Sequence, residues 1–479
     1  MLEGLNDRQK EAVLYNEGPL LIIAGAGAGK TKTLTTKIAY LIEEGFAYPY
    51  NVLAITFTNK AAKEMKDRLY GLIGDLAKKV QVSTFHSFGL KLLRENYEKL
   101  GYEANFVIMD SDDSLTVVKK IVKDLGYDPK IYNPRAIRNK ISSCKNEMMT
   151  PEMYERYAVS DYEKVMHKVY EKYEEKLKKN NSVDFDDLLL LPIKLFKENP
   201  SVLQKYQELY QYILIDEYQD TNEAQYILSK LISAKSRKIT CVGDDSQSIY
   251  SFRGANYKNI LNFEKDYKDA KTILLEENYR STSTILDAAN QVIKNNTQRK
   301  DKNLWTSRGK GEKIKYYRAY NERDEAQYVI RKIKELRNKD VEYKDIAVLY
   351  RTNAQSRVLE EEMLKENMPY RVIGSFYFYS RKEIKDLIAY LRLIHNSKDN
   401  VSLLRVINTP KRGIGLKTIE NLTMKADEAG TSIYEAISSG KELEFKKTIE
   451  QLKSLSEELT LTELIDKVLD ASGMRQELE

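Results

Sequence analysis

The stretch LLIIAGAGAGKTKT, residues 20–33, constrains this chain more than any other. Four apolar residues run straight into a loop that alternates glycine with alanine and closes on Gly-Lys-Thr. The apolar run reads as a buried strand and the residues after the loop as a helix. Glycines between them let several backbone N–H groups converge at the helix N-terminus, where a phosphate is favoured. Ala24, Gly25, Ala26, Gly27, Ala28, Gly29, Lys30 and Thr31 fit the P-loop pattern, with Ala24 in place of its first glycine. Lys30 is expected to reach the β- and γ-phosphates of ATP, and Thr31 to offer its hydroxyl to Mg²⁺.

A P-loop needs a carboxylate for its metal, and ILIDE at 213–217 supplies two at the end of an apolar run. Asp216 is expected to hold Mg²⁺, and Glu217 to orient and deprotonate the attacking water. Lys30 and Asp216 lie too far apart in the chain for neighbouring strands of one sheet, which predicts an inserted domain. The segment from about 110 to 200 fits that role, being helical in pattern, rich in Lys, Tyr and Glu, and short of strands.

Apolar runs at 20–24, 52–57, 212–215, 239–242, 273–275 and 346–349 read as buried strands separated by helical patterns. That alternation predicts an α/β fold of parallel sheets with helical insertions, in which ligands gather beyond the strands' C-terminal ends. From Arg381 onward the pattern is helical.

Composition narrows the class further. A length of 479 residues implies about three domains. Two cysteines, Cys144 and Cys241, cannot build a disulfide framework or a zinc site alone and suit a reducing cytoplasm, which is the expected location. A net charge of +6 is too small to argue for nucleic acid by itself.

Taken in order, the polar motifs resemble the superfamily 1 helicases of the UvrD/PcrA/Rep type. DEYQD (216–220) accompanies the P-loop, LNDRQKEAV (5–13) resembles the Q motif, and TFTNKAAKEM (56–65) and TFHSF (84–88) resemble motifs Ia and Ib. VGDDSQSIYSFRGA (242–255) resembles motif III, and LEENYRS (275–281) with YRTNAQSR (350–357) resembles motif IV and its extension. VDFDDLLL (183–190), RKEIKD (381–386) and TPKRGIG (409–415) match further family stretches.

The resemblance implies P-loop NTPase domains of the RecA-like kind. Domain 1A would comprise 1–108 and 191–277, helical insertion 1B 109–190, the first part of 2A 278–378, and a partial helical 2B 379–479. It implies that Gln9 reads the adenine edge, Tyr279 stacks on the base, Lys32 joins the nucleotide loop, Gln247 senses the γ-phosphate, and Arg280 acts as an arginine finger. For DNA it implies stacking on Phe57, Phe85, Phe185, Tyr250 and Phe252, with Thr56, Asn59, His86, Arg253 and Arg351 on the sugar-phosphate backbone.

Departures accompany the matches. Ala28 and Lys32 replace the family's serine and arginine, and Phe252 replaces a tryptophan. No TxHxxKGLE-like motif V or TRA-like motif VI occurs, so the chain is expected to end inside 2B. The expected function is an ATP-dependent 3′-to-5′ DNA helicase and translocase in repair or replication. Acting alone, this chain is expected to bind ATP and unwind poorly. A monomer is expected, working on single-stranded DNA and junctions, with repair or transcription proteins as candidate partners. An ATP-gated DNA-binding or regulatory module and a motor subunit of a RecB/AddA-like helicase-nuclease stay open, as does RNA in place of DNA.

Overall fold

The computed structural model describes residues 1–250, 254–296, 300, 302–373 and 381–478. Its centre is a six-stranded parallel sheet built from β1 (Leu20–Ala24), β2 (Val52–Thr56), β3 (Gln81–Thr84), β6 (Tyr212–Ile215), β7 (Ile239–Gly243) and β8 (Lys271–Leu275). Across the sheet the order is β3-β2-β6-β7-β1-β8. Successive residues of each strand point to opposite faces, and both faces are apolar. Leu20, Ile22, Val52, Ala54 and Leu214 pack with α1 (Asp7–Leu14), α2 (Lys30–Glu43) and α3 (Asn59–Ile73) on one side. Leu21, Ile23, Leu53, Ile55 and Ile213 pack on the other with α4 (Phe85–Asn96) and the helices Asp187–Glu198 and Glu223–Ser233. Each such Leu or Ile contributes roughly 1.5–3 kcal/mol by leaving water. Burial on both faces explains why the strands read as unbroken apolar runs. The exception is β3, an edge strand whose Gln-Val-Ser-Thr sequence carries one apolar residue and was not predicted.

Between α4 and β6 the chain makes a helical excursion with its own core. Val118, Ile121, Ile137, Ile141, Met166 and Tyr170 come from helices Ser111–Asp124, Pro134–Asn146 and Asp161–Lys179. A two-stranded parallel pair, β4 (Val107–Ile108) with β5 (Ser182–Val183), ties the two ends of the excursion together. Just after β5 lies a turn closed by two reciprocal bonds, Asp184 N–H to Asp187 Oδ2 and Asp187 N–H to Asp184 Oδ1, both 2.9 Å. Lys145, side chain 1% exposed, sends its ammonium to Asp184 and Asp187 at 2.8 Å each. Glu174 Oε1 also sits 2.8 Å away, out of line for a hydrogen bond, and Tyr173 donates its hydroxyl to Asp184 at 2.9 Å. Burial opposes the charge on Lys145, but Asp184, Asp187 and Glu174 together outweigh it and hold the ammonium well above its ordinary range.

Beyond β8 and the helix Ser283–Ile293, helices Glu322–Arg337 and Ser356–Lys365 form a small body whose core is Ile330, Ile333, Met363 and Met368. The strand expected at 346–349 does not form, and no strand occurs among the described residues from 276 to 373. Ile346 and Val348 pack against the helices, while Leu349 is 93% exposed. An extended segment without a paired neighbour has no ladder to complete, so apolar alternation alone does not make it a strand. The helices from Lys382 to Leu478 enclose a separate core around Tyr390, Leu393, Val406, Phe445 and Leu452. They meet the excursion through Arg392–Asp113 (2.6 Å), Lys385–Asp110 (3.2 Å) and Lys398–Glu103 (2.6 Å). Among the described residues no helix is long and apolar enough to cross a membrane.

Replacing Lys145 by Met leaves buried carboxylates without their cation. Lys145→Met is expected to destabilise the excursion by about 3–5 kcal/mol in denaturant titration. A shift below about 1 kcal/mol would mean that the cluster discharges by taking up protons instead.

Candidate nucleotide site and adjoining groove

The loop after β1 rises from the C-terminal edge of the sheet, and α2 starts at Lys30. Gly27 and Gly29 adopt φ of +71° and +79°, a region unfavourable to other residues. The space around them is closed as well: a Cβ at Gly27 would lie 2.7 Å from Arg280 Cβ, and one at Gly29 2.8 Å from Gln9 Nε2. No side chain caps α2, so its first N–H groups stay available to an anion.

Strand β6 delivers the carboxylates, although β7 lies between it and β1. Thr31 Oγ1 donates to Asp216 Oδ2 at 3.1 Å, and Lys30 Nζ contacts Glu217 Oε2 at 3.0 Å. Burial, reinforced by neighbouring Glu217, pushes the Asp216 carboxyl up to about 6 against the opposing pull of Lys30 and Thr31. A divalent cation would relieve that cost. The hydroxyl and carboxylate oxygens are hard donors of the kind Mg²⁺ takes when phosphate and water complete its shell, so the residues fit the metal. Glu217 holds a φ of +52°, unusual outside glycine, and is pinned by two bonds. Its N–H donates to Asp216 Oδ1 at 3.0 Å, and Gln219 Nε2 donates to its Oε2 at 2.8 Å. Gln247 donates its side-chain amide to Asp244.

The remaining nucleotide candidates surround the same loop. Gln9 is 2% exposed and turned to the loop itself, giving Nε2 to Ala28 O at 3.0 Å and accepting from Asn6 N–H at 3.0 Å. The expected adenine-reading edge is therefore partly engaged by the P-loop backbone. Tyr279 is 42% exposed and anchored through its hydroxyl, which donates to Glu277 at 2.7 Å and accepts from Asn6 Nδ2 at 2.8 Å. Its N–H donates to Gly27 O at 3.0 Å, which brings Arg280 beside the loop. Lys32 points outward to Gly4 O at 2.7 Å.

On the same sheet edge opens a groove of about 730 Å³ between the sheet and the excursion. Thr56, Phe57, His86, Phe185 and Tyr250 all line it. Phe57 and Tyr250 tilt together with ring centroids 5.0 Å apart, and His86 stacks on Phe185 at 3.9 Å. Phe185, on the turn that Lys145 braces, is 55% exposed. Phe85 is a correction to the set of stacking rings. It touches the groove but is 4% exposed and belongs to the core beneath the sheet, because the first residue of α4 points back against Phe88 and Leu92. Asn59 is exposed at the start of α3, accepts from Ser87 Oγ at 3.4 Å, and is not among the groove's lining residues. Arg351 lies in the body after β8, also away from that lining. Phe252 and Arg253 fall outside the described residues.

The opposite wall comes from residues that sequence reasoning missed. Helix Pro134–Asn146 contributes Arg138, Asn139, Ser142, Ser143 and Asn146. A signal was present: Arg138, Ser142 and Asn146 recur every four residues, opposite the buried Ile137, Ile141 and Cys144.

A phosphate loop facing Mg²⁺-suited carboxylates, with a ring-lined groove on the same sheet edge, defines a P-loop NTPase equipped to hold a second, extended ligand. Residues 5–268 match the family model described as the UvrD/REP helicase N-terminal domain, and residues 273–477 that of the UvrD-like helicase C-terminal domain. The chain is 49% identical over 490 residues to the ATP-dependent DNA helicase PcrA of Staphylococcus aureus (strain NCTC 8325 / PS 47), covering 100% of this chain and 67% of that protein. It is 47% identical, with the same coverage, to the protein of the same name in Staphylococcus epidermidis (strain ATCC 12228 / FDA PCI 1200). This chain belongs to the UvrD/REP helicase family.

Burial holds the His86 imidazole down at about 4 from an ordinary 6.5. As pH falls through that window, the unfolded chain takes up a proton that folded His86 refuses, so this group subtracts stability on the acid side. His86→Phe should therefore lose less thermal stability than the wild type between pH 6.5 and about 4. Parallel Tm–pH curves for the two proteins would refute this.

Proposed function

We propose that the chain is an ATP-dependent DNA helicase and translocase that moves along single-stranded DNA in repair or replication. One observation carries the reading. The segment after β6 touches the P-loop through Asp216 and Glu217 and lines the groove through Asp220 and Asn222. A change at the phosphate therefore has a path of a few residues to whatever the groove holds.

In this reading Lys30 and the N–H groups of the loop hold the β- and γ-phosphates, with Thr31 and Asp216 as the Mg²⁺ ligands. The metal supplies charge neutralisation on the phosphates. Glu217 accepts the proton of the attacking water, and Gln247 bonds a γ-phosphate oxygen. Arg280 approaches from the second lobe, adding positive charge where negative charge spreads. Tyr279 stacks on adenine, with Gln9 and Lys32 at the margin of the base. Phe57, Phe185 and Tyr250 stack on bases, while Thr56, Asn59, His86, Arg351 and, from helix Pro134–Asn146, Arg138 hold the backbone. Base-on-ring stacking tolerates any sequence, as a translocating track requires. The 3′-to-5′ direction rests on the family resemblance.

Alone, this chain is proposed to bind ATP yet unwind poorly. Arg280 stands on a lobe that has no sheet among its described residues, and Tyr316, Tyr320 and Leu349 there are exposed. Closure of such a lobe onto the nucleotide lacks the rigid body needed to present a guanidinium reproducibly.

ATP turnover with and without single-stranded DNA tests the assignment. Glu217→Gln should keep nucleotide affinity within about threefold and lower turnover about 10²–10⁴-fold. Unchanged turnover would remove Glu217 from the mechanism. Phe185→Ala should weaken single-stranded DNA binding by about 1–3 kcal/mol in fluorescence titration, and an unaltered Kd would take the groove out of the reading.

A further inference from the structure

Lys302 belongs to the stretch that returns from helix Ser283–Ile293 toward the sheet, and its side chain is 4% exposed. Its ammonium ends between Asp244 and Asp245, which follow directly on β7 and are 3% and 0% exposed. The backbone N–H of Lys300 adds a bond to Asp245 Oδ2 at 2.6 Å. The next residues continue along the nucleotide loop. Asn303 N–H donates to Glu276 Oε1 at 2.8 Å, and Leu304 covers Gly25 so closely that a Cβ there would lie 2.1 Å from its Cδ2. Trp305 accepts from Asn278 N–H at 2.7 Å, and Asn278 in turn donates its side-chain amide to Ala26 O.

From Asp244 an unbroken line of polar contacts leads to the phosphate lysine. Gln247 donates to the Asp244 carboxylate, and Asp244 N–H donates to Gln219 Oε1 at 2.9 Å. Gln219 Nε2 donates to Glu217 Oε2 at 2.8 Å, and that oxygen contacts Lys30 at 3.0 Å. Two adjacent buried carboxylates repel unless a cation sits between them. Without Lys302, the Asp244 carboxylate has reason to turn toward water and carry Gln247 with it, which loosens the backbone from which Asp244 N–H holds Gln219.

The geometry points to Lys302 as an interlobe positioning residue. It lies beyond β8 on the same side of the chain as Arg280, yet its charge sets the orientation of Gln247 and, through the Asp244 backbone and Gln219, bears on Glu217. Gln219 Nε2 also reaches Oδ2 of the groove residue Asp220 at 3.4 Å, so a strand in the groove and a nucleotide in the loop are coupled through a side chain that touches neither. This rests on the roles proposed for Glu217 and Gln247.

The test titrates the 479-residue chain with a fluorescent non-hydrolysable ATP analogue, with and without an oligo-dT strand. ATP kcat and KM are measured alongside. For Lys302→Met, the analogue's Kd without DNA should stay within about threefold of wild type, while the change in Kd on adding DNA collapses toward unity. Turnover should fall about tenfold or more with KM little altered, and Lys302→Arg should restore most of both. Asp245→Asn, which loosens the same pair from the other side, should reproduce the loss of coupling and serves if Lys302→Met does not fold. A Lys302→Met protein that keeps the wild-type DNA effect overturns the inference, as does a wild-type chain whose analogue affinity ignores DNA. Glu217→Gln in parallel separates the two levels. If it turns over ATP normally, the catalytic reading fails; if it is inactive while Lys302→Met stays coupled, only the role of Lys302 fails.

Discussion

The contact between the P-loop and the end of β6 is the constraint around which the rest is arranged. Strands β1 and β6 are two positions apart in the sheet, roughly 9–10 Å at ordinary strand spacing. Two side-chain pairs bridge that gap, Lys30 with Glu217 at 3.0 Å and Thr31 with Asp216 at 3.1 Å. A parallel sheet makes the meeting possible because every strand ends on the same edge. The loop's N–H groups and the carboxylates therefore face one another without any strand reversing. Burial of Asp216 then turns proximity into chemistry: an acid raised to about 6 beside a helix N-terminus makes a site that gains from receiving a cation and a phosphate together.

The groove depends on the same edge, but also on a second, separately built body. Its far wall is helix Pro134–Asn146, and its most exposed ring, Phe185, sits on the turn after β5. A turn of four polar-flanked residues would ordinarily be loose. Here the reciprocal Asp184–Asp187 bonds close it, and the buried ammonium of Lys145 ties it to the excursion's own helices. The cluster costs desolvation and returns rigidity to the turn that carries Phe185. Beyond β8 the balance is different. Exposed aromatic and aliphatic residues on segments that form no strand leave that body held mainly by a four-residue core.

Much of this was legible beforehand, for reasons that differ from residue to residue. Lys30, Thr31, Asp216 and Glu217 announce themselves because phosphate and metal chemistry demands particular side chains at a strand's end, and spacing within each motif is local. The four inner strands were legible because strands buried on both faces are mostly apolar, and β8, at one edge, through its run Ile273–Leu275. β3 was not, since an edge strand need not be. The segment 346–349 has strand composition without a neighbour, and pairing is not a property of one segment. Phe85 and Phe185 are both aromatics in polar motifs, yet one is core and the other faces the groove. What separates them is a helix start against a braced turn, which composition does not encode.

By itself, the sequence determined the chemistry available: a phosphate loop, a metal-suited carboxylate with a glutamate beside it, and the α/β alternation that sets them on strand ends. These are short-range facts, decided by residue type and a few bonds of spacing. Tertiary structure alone decided which groups meet. Residue 31 reaches 216, and 302 sits between 244 and 245. One face of helix Pro134–Asn146 becomes the wall of a groove. Such contacts are set by the order of strands in the sheet and by which charges can share a buried site, neither of which any single stretch of chain contains.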